Sequence, residues 1–237
     1  MKKFFLAAAA VLCTCYACSD GSNEFHSTYF YPQNARGIET YADQILDSVK
    51  VVSYDSWTHK NTADWVEVVT LADGKRQVND IAVTVPAGYY SFTRLDFNMQ
   101  PNTTGEIRYT PIQVTSSFDK IGTVATMLTQ YPFLNIAQPA VEQNAVTKAF
   151  EFKLSLAATQ TESSIVFTPY AGDATLTSSA SWLVPEKTTD FEQYAKQTVT
   201  LQIEKNETET PRTATLTLTS RGISNVITVT QSAGKAE

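Results

Sequence analysis

The stretch Thr198-Val199-Thr200-Leu201-Gln202-Ile203-Glu204, followed after a turn by Thr213-Ala214-Thr215-Leu216-Thr217-Leu218-Thr219, decides the fold. Both segments alternate apolar and polar residues strictly. Such alternation places one face of an extended strand in a core and the other in water. Val226-Ile227-Thr228-Val229-Thr230 adds a third strand, with Ile227 and Val229 inward. Asn206 to Arg212, with Pro211, reads as a polar turn, because Asn tolerates left-handed backbone and Pro ends strand pairing.

The same block occurs earlier in the chain. Leu95, Phe97 and Met99 take the places of Val199, Leu201 and Ile203, and Thr110, Ile112 and Val114 take those of Ala214, Leu216 and Leu218. The offset is a constant 104 positions, from Asn102 to Asn206 and from Arg108 to Arg212. Both copies run on to Thr-Gln, at Thr129-Gln130 and Thr230-Gln231. An offset this long exceeds solenoid periods and suits a duplicated domain.

Upstream of each block lie further short apolar runs. In the first half these are Val49–Tyr54, Trp65–Leu71 and Val78–Val85, with a turn at Ala72-Asp73-Gly74-Lys75. In the second half they are Ala149–Leu156, Ile165–Tyr170 and Ser181–Val184. Six or seven short strands per half, with regular turns and no substantial helix, predict two tandem immunoglobulin-like β-sandwiches in an all-β chain. The composition agrees: 237 residues suit two domains, and only 18% of residues are charged, against 43% hydrophobic.

The N-terminus reads Met-Lys-Lys, an apolar run from Phe4 to Leu12, then small residues, which is the pattern of a secretory signal peptide. All three cysteines, Cys13, Cys15 and Cys18, fall here, so nothing after Cys18 forms an intrachain disulfide. Tyr16-Ala17-Cys18-Ser19-Asp20 resembles a bacterial lipobox, which implies acylation of Cys18; Thr14-Cys15 is the alternative position, and an ordinary cysteine-rich leader is the plain one. Several acyl chains, at roughly 0.8 kcal/mol per buried CH2, anchor a protein stably. The expected organisation is a lipoprotein signal peptide over 1–17, a tether over 18–40, a first domain over 41–134, a linker over 135–145 and a second domain over 146–237.

Trp, a strand, Asn-x-Thr-x-x-x-Arg, an alternating Thr-rich strand and then Val-Thr-Gln together resemble the BACON domain, an immunoglobulin-like module of Bacteroidetes surface lipoproteins. The matching residues are Trp182, Asn206, Arg212 and Gln231 in the second half and Trp65, Asn102, Arg108 and Gln130 in the first. The Trp65–Asn102 interval exceeds Trp182–Asn206, which places an insertion near Pro86–Ser91. The resemblance implies an exported outer-membrane lipoprotein at the cell surface. It also implies a non-catalytic module that binds carbohydrate or mucin-type glycoprotein, or serves as a spacer or protein-binding subunit. Asp20 and Glu24 resemble the acidic signals that direct some Bacteroidetes lipoproteins to the surface.

Chemistry-bearing residues are sparse. The two histidines are His26 in the tether and His59 in an expected loop, so no pair has metal-ligand spacing. No Gly-x-Ser-x-Gly turn is present, and the carboxylates are scattered rather than paired. No catalytic residue, metal site or cofactor is expected. Formal net charge is −6, and losing Lys2 and Lys3 with the leader leaves 16 basic groups against 24 acidic ones, which excludes a general nucleic-acid binder. A glycan ligand calls for exposed aromatic faces, and Trp57, Tyr89, Tyr90 and Phe92 are the candidates. Trp65 and Trp182 read instead as core. Arg108 and Arg212 read as scaffold ties, because duplicated domains repeat packing features. Contact with a membrane is expected through the lipid anchor alone.

Overall fold

The computed structural model describes residues 25–31 and 37–234. The expected leader of residues 1–17, Cys18, the acids Asp20 and Glu24, and tether residues 32–36 lie outside the described residues.

The described chain is all-β, with nineteen strands and no helix. In the first half these are β1 (Thr28–Tyr31), β2 (Ile38–Thr40), β3 (Leu46–Ser53), β4 (Trp57–Lys60), β5 (Val66–Ala72), β6 (Lys75–Val78), β7 (Asp80–Val83), β8 (Ser91–Met99), β9 (Arg108–Ser116) and β10 (Thr123–Gln130). The second half has β11 (Asn135–Gln138), β12 (Val141–Gln143), β13 (Phe150–Leu156), β14 (Glu162–Thr168), β15 (Thr175–Ser178), β16 (Leu183–Pro185), β17 (Gln197–Ile203), β18 (Arg212–Ser220) and β19 (Ile223–Gln231).

The first compact unit takes the described residues up to Thr40, with Ile45–Gln100 and Ile107–Gln130. Its sheets run β1-β3-β8-β5-β6 and β2-β10-β9-β4-β7. Inward residues of both, including Val51, Val68, Leu95, Phe97, Ile112, Val114 and Leu128, form one core. The second unit takes Tyr41–Gln44, Pro101–Glu106 and the chain from Tyr131 onward. Its sheets run β11-β14-β17-β16 and β12-β13-β19-β18-β15. Its core includes Phe152, Phe167, Leu176, Leu183, Leu201, Leu216 and Val229. Each unit is an immunoglobulin-like sandwich. Each also joins its Thr-Gln strand to an upstream strand in parallel, β10 to β2 and β19 to β13.

Several expectations change. The tether over 18–40 carries β1 and β2, because Thr28 and Phe30 alternate inward and pair with β3. The linker over 135–145 carries β11 and β12, which hydrogen-bond to β14 and β13. Residues 41–44, 101–106 and 131–134 pack with the second unit rather than with a first domain of 41–134. The physical reason is burial: Ala42 is enclosed in the second core, and its N–H donates to the Phe133 carbonyl.

The single strand expected over Val78–Val85 is two. Asn79 sits at φ 61° and turns the chain from β6 in one sheet to β7 in the other. Its side-chain oxygen accepts from the Val68 N–H at 2.8 Å, which holds the bend. The insertion between Trp65 and Asn102 is therefore more than the loop near Pro86–Ser91. It contains β6 and β7, which extend both sheets by one strand. The Asp73-Gly74 hairpin behaves as read, with φ of 52° and 73°, as a primed two-residue turn requires.

Candidate functional site

The two repeated Trp–Arg–Gln clusters share one geometry. Arg212 lays its guanidinium over the Trp182 ring, 4.3 Å from the centroid, and its Nε donates to Gln231 Oε1 at 2.8 Å. Nη2 reaches the Glu204 carbonyl. In the first unit Arg108 lies 4.6 Å from the Trp65 centroid, donates from Nε to Gln130 Oε1 at 2.8 Å and reaches the Gln100 carbonyl. Gln130 and Gln231 are fully enclosed, and each tryptophan lies half-buried against its own core. Burial pushes the Arg108 guanidinium down from its usual value, opposed by Asp64.

Asn206 closes the adjoining turn. Its Oδ1 accepts from the Thr208 N–H and hydroxyl, and its Nδ2 donates to Thr210 O. Asn102 does the same with Thr104 and Glu106. These are backbone-mimicking turns made by a short amide side chain. The Nε and Nη2 groups of each arginine and the Nδ2 of each asparagine point at protein acceptors, so these residues tie the fold together.

An open concavity of about 370 Å³ lies at one end of the first unit. That falls in the range of small-molecule clefts. Four loops build it. Phe25 and His26 precede β1; Tyr54, Asp55 and Ser56 join β3 to β4; Val85 to Tyr89 join β7 to β8; and Ser117 follows β9.

Each loop is fixed by backbone bonding. Tyr54 N–H donates to Ser27 O at 2.9 Å, Ser117 N–H to Ser56 O at 2.7 Å, and Val85 N–H to Ser56 Oγ at 3.0 Å. Tyr89 N–H donates to Pro86 O at 3.1 Å around Gly88, whose φ is 78°. Positive φ at the third position of this turn is the conformation that glycine adopts without cost.

This turn lifts Tyr89 and Tyr90 into water, 68% and 62% exposed. Tyr90 leans on Tyr54 with centroids 5.6 Å apart, and Phe25 meets Tyr54 edge-on at 4.8 Å. The result is an aromatic rim. The floor is polar. His26 Nδ1 bonds Asp55 Oδ1 at 2.6 Å, and its ring stacks on Phe118 with centroids 3.7 Å apart. Asp55 Oδ2 is buried without a hydrogen-bond partner among the described residues. Ser53 Oγ ties the loop by donating to Asp55 O at 2.7 Å.

The four sequence candidates separate. Tyr89 and Tyr90 stand at this rim. Phe92 does not: it faces out from β8 beside Tyr31, with centroids 5.9 Å apart and Lys50 Nζ 4.8 Å above its ring. Trp57 is a correction, because at 2% exposure it is core. It begins β4, points inward, and donates from Nε1 to Ser91 Oγ at 3.2 Å. His59 is a second correction. It lies on β4 rather than in a loop, buried two residues further along the same face. Sequence reading missed His26, Tyr54 and Asp55 as groove residues. Tyr54-Asp55 and His26 lie in separate segments, both far in sequence from the Pro86-Ala87-Gly88 turn, so no local pattern joins them. Among the described residues, no group of three His, Cys, Asp or Glu side chains could hold a metal ion.

Residues 172–232 match the family model for BACON, described as "Putative binding domain, N-terminal". No curated protein matches the chain. Among solved structures, a Bacteroides ovatus GH5 xyloglucanase in complex with a heptasaccharide is 24% identical, over 41% of this chain and 20% of that one, with a TM-score of 0.32. The chain thus spans about a fifth of that enzyme. A titin tandem is 11% identical over 88% of this chain and 99% of that one, at TM-score 0.30. A titin immunoglobulin tandem is 8% identical over 89% and 98%, at 0.26. The BACON match covers the segment that supplies Trp182, Arg212 and Gln231 to the duplicated tie and supports a BACON-type domain there.

Proposed function

We propose that this protein is a non-catalytic binding protein for carbohydrate or glycoprotein, and that the groove of the first unit is its ligand site. One observation carries the reading: Tyr89 and Tyr90 are exposed on a glycine-fixed turn beside a polar floor of His26 and Asp55. Flat aromatic faces with convergent hydrogen-bonding groups are what a sugar ring needs, apolar on one face and hydroxylated at its edge. The first unit is read as a second BACON-like module, which lost sequence likeness as β6 and β7 were inserted. Cys18 is read as acylated after removal of residues 1–17, which tethers both modules to the outer membrane of a Bacteroidetes cell, facing outward.

The test is a glycan array with the chain from Ser19 onward, which keeps every described residue, beside a Tyr89→Ala/Tyr90→Ala variant. Selective binding by the parent, weakened about tenfold or more in the variant, supports the groove, since central aromatic contacts of this kind each contribute more than about 1 kcal/mol. Absence of binding to any glycan, with both proteins folded by circular dichroism, overturns it.

A second reading, a spacer or accessory subunit that binds protein, is favoured by one feature. Ile107, Tyr109 and Met127 are exposed apolar residues at β9 and β10, where Met127 pairs with Pro111. Capture of a protein partner that Tyr109→Ser/Met127→Ser abolishes, without glycan binding, supports that reading instead.

A further inference from the structure

We propose that the outward face of the sheet β1-β3-β8-β5-β6 is a second binding surface, apart from the groove, that takes a linear anionic polysaccharide. The ladder registers carry it. Tyr31 pairs with Lys50, and Lys50 pairs with Arg94. Thr70 Oγ1 donates to Arg94 O at 2.6 Å, keeping β5 beside β8 at this level, and Leu71 pairs with Arg76. The last β5–β8 ladder pair is Val69 with Asp96, and carrying that register two residues on sets Leu71 beside Arg94, so one row crosses the five strands as Tyr31, Lys50, Arg94, Leu71, Arg76. All five side chains are exposed.

Like charges directly opposite on neighbouring strands are destabilising. Lys50 and Arg94 stand in that relation. A sheet that keeps such a pair departs from the rule that local choices agree with the fold, and such departures mark functional places. Adjacent strands lie about 4.8 Å apart, so the cations of β3, β8 and β6 repeat across the row at one and then two strand spacings. Phe92 lies one pleat from Arg94 on the same face and carries Lys50 over its ring, so an aromatic plane stands beside the cations. Among the described residues Lys50 makes no ion pair.

The occupant is linear rather than planar because the row has acidic borders. Asp96 holds Arg94 at 2.5 Å, and Glu67 holds Arg76 at 3.7 Å, both from positions further along the strands. A plane of anionic headgroups would press on Asp96 and Glu67 as well. A single chain bearing carboxylates or sulfates lies along the row and avoids them. In a chain of net charge −6 this row is a local reversal of sign.

The test is affinity electrophoresis of the chain from Ser19 onward through gels containing polygalacturonate, dextran sulfate or neutral dextran. Retardation is expected with either charged polymer and absent with dextran, and it decreases as salt rises. Lys50→Glu/Arg94→Glu weakens the apparent affinity at least tenfold. Lys50→Gln, which cannot disturb the Arg94–Asp96 pair, weakens it severalfold. Lys196→Glu/Lys205→Glu makes the same change of net charge on exposed residues of the second unit and leaves retardation unchanged. Tyr89→Ala/Tyr90→Ala also leaves it unchanged, so this surface and the groove stand or fall separately. Equal loss in the second-unit control reduces the effect to net charge and overturns the proposal. So does the absence of retardation, or binding to anionic phospholipid vesicles without binding to the polymers.

Discussion

Arg212 stacks on Trp182 and, from the same guanidinium, donates to the enclosed Gln231. The planar fork does both at once, which an ammonium cannot. Gln231 in turn donates to the carbonyls of Ala157, Ala158 and Glu204, so the side chain ties three segments of the second unit. Arg212→Ala removes the stacking and leaves a buried amide oxygen unpaired. The expected loss is about 2–3 kcal/mol, from the cation–π contact and the desolvated acceptor together. Arg212→Lys restores little of it. Urea unfolding followed by tryptophan fluorescence measures both, and an unchanged midpoint for Arg212→Ala refutes the tie.

His59 makes the first unit sensitive to acid. Its Nδ1 lies 2.8 Å from the Gln113 carbonyl, which can only accept, so Nδ1 carries the proton and Nε2 is bare and buried. Burial pushes the imidazole below its usual 6.5, against smaller opposing effects of the Gln113 carbonyl and Asp80. The unfolded chain therefore binds the proton more readily than the folded one. Stability contributed by neutral His59 is complete above about pH 6.5 and declines as pH falls below it. His59→Leu removes this part of the dependence. Urea midpoints of parent and variant at pH 7.5 and 5.5 check it, and parallel shifts in the two proteins would show that His59 plays no part.

What the sequence revealed follows the range of the interactions. The ties at Arg108 and Arg212 were legible because their partners recur at one offset, and a repeated spacing survives without any knowledge of contacts. The strand Thr28–Tyr31 was legible only in hindsight. Its inward Thr28 and Phe30 alternate correctly, but four residues in a polar segment give too short a period to stand out. Trp57-Thr58-His59-Lys60 also alternates, yet the inward His59 breaks the apolar pattern, so His59 reads as a loop residue and Trp57 as an exposed aromatic. The groove was hidden because His26 and Asp55, 29 positions apart, meet through loop closure, which no local pattern encodes.

Asp43 is the extreme case, since Tyr170 N–H and the Ser220 hydroxyl reach its Oδ2 from 127 and 177 positions away, at 3.0 and 2.6 Å. Burial raises its pKa above the usual 3.8, more than these bonds and Arg221 lower it. The folded second unit therefore holds the Asp43 proton more tightly than the unfolded chain does. Its contribution is favourable below about pH 3.8 and is lost as pH rises through the raised value. Asp43→Asn keeps an acceptor for both donors and cannot ionise. Relative to the parent, the variant gains stability as pH rises from 3 to 7, read as the difference in urea midpoints. A constant difference across that range would contradict the buried carboxylate.

Trp57 and Tyr89 were read from the sequence as the same kind of residue, and the structure predicts opposite phenotypes. Trp57 fills the centre of the first core, so Trp57→Ala costs about 3–5 kcal/mol through lost burial and the cavity left behind. Tyr89 is carried by an exposed turn, so Tyr89→Ala changes stability by no more than about 0.5 kcal/mol. Gly88→Ala lies between them. A new Cβ meets nothing within 4 Å, so the cost is only the positive φ, roughly 1–2 kcal/mol. That strain is relieved by moving the turn, and with it Tyr89 and Tyr90. Gly88→Ala should therefore lose glycan binding far out of proportion to its small stability change, whereas Trp57→Ala loses both together. Thermal unfolding and array binding on the three variants separate these outcomes, and full binding by Gly88→Ala would show that the turn does not set the rim.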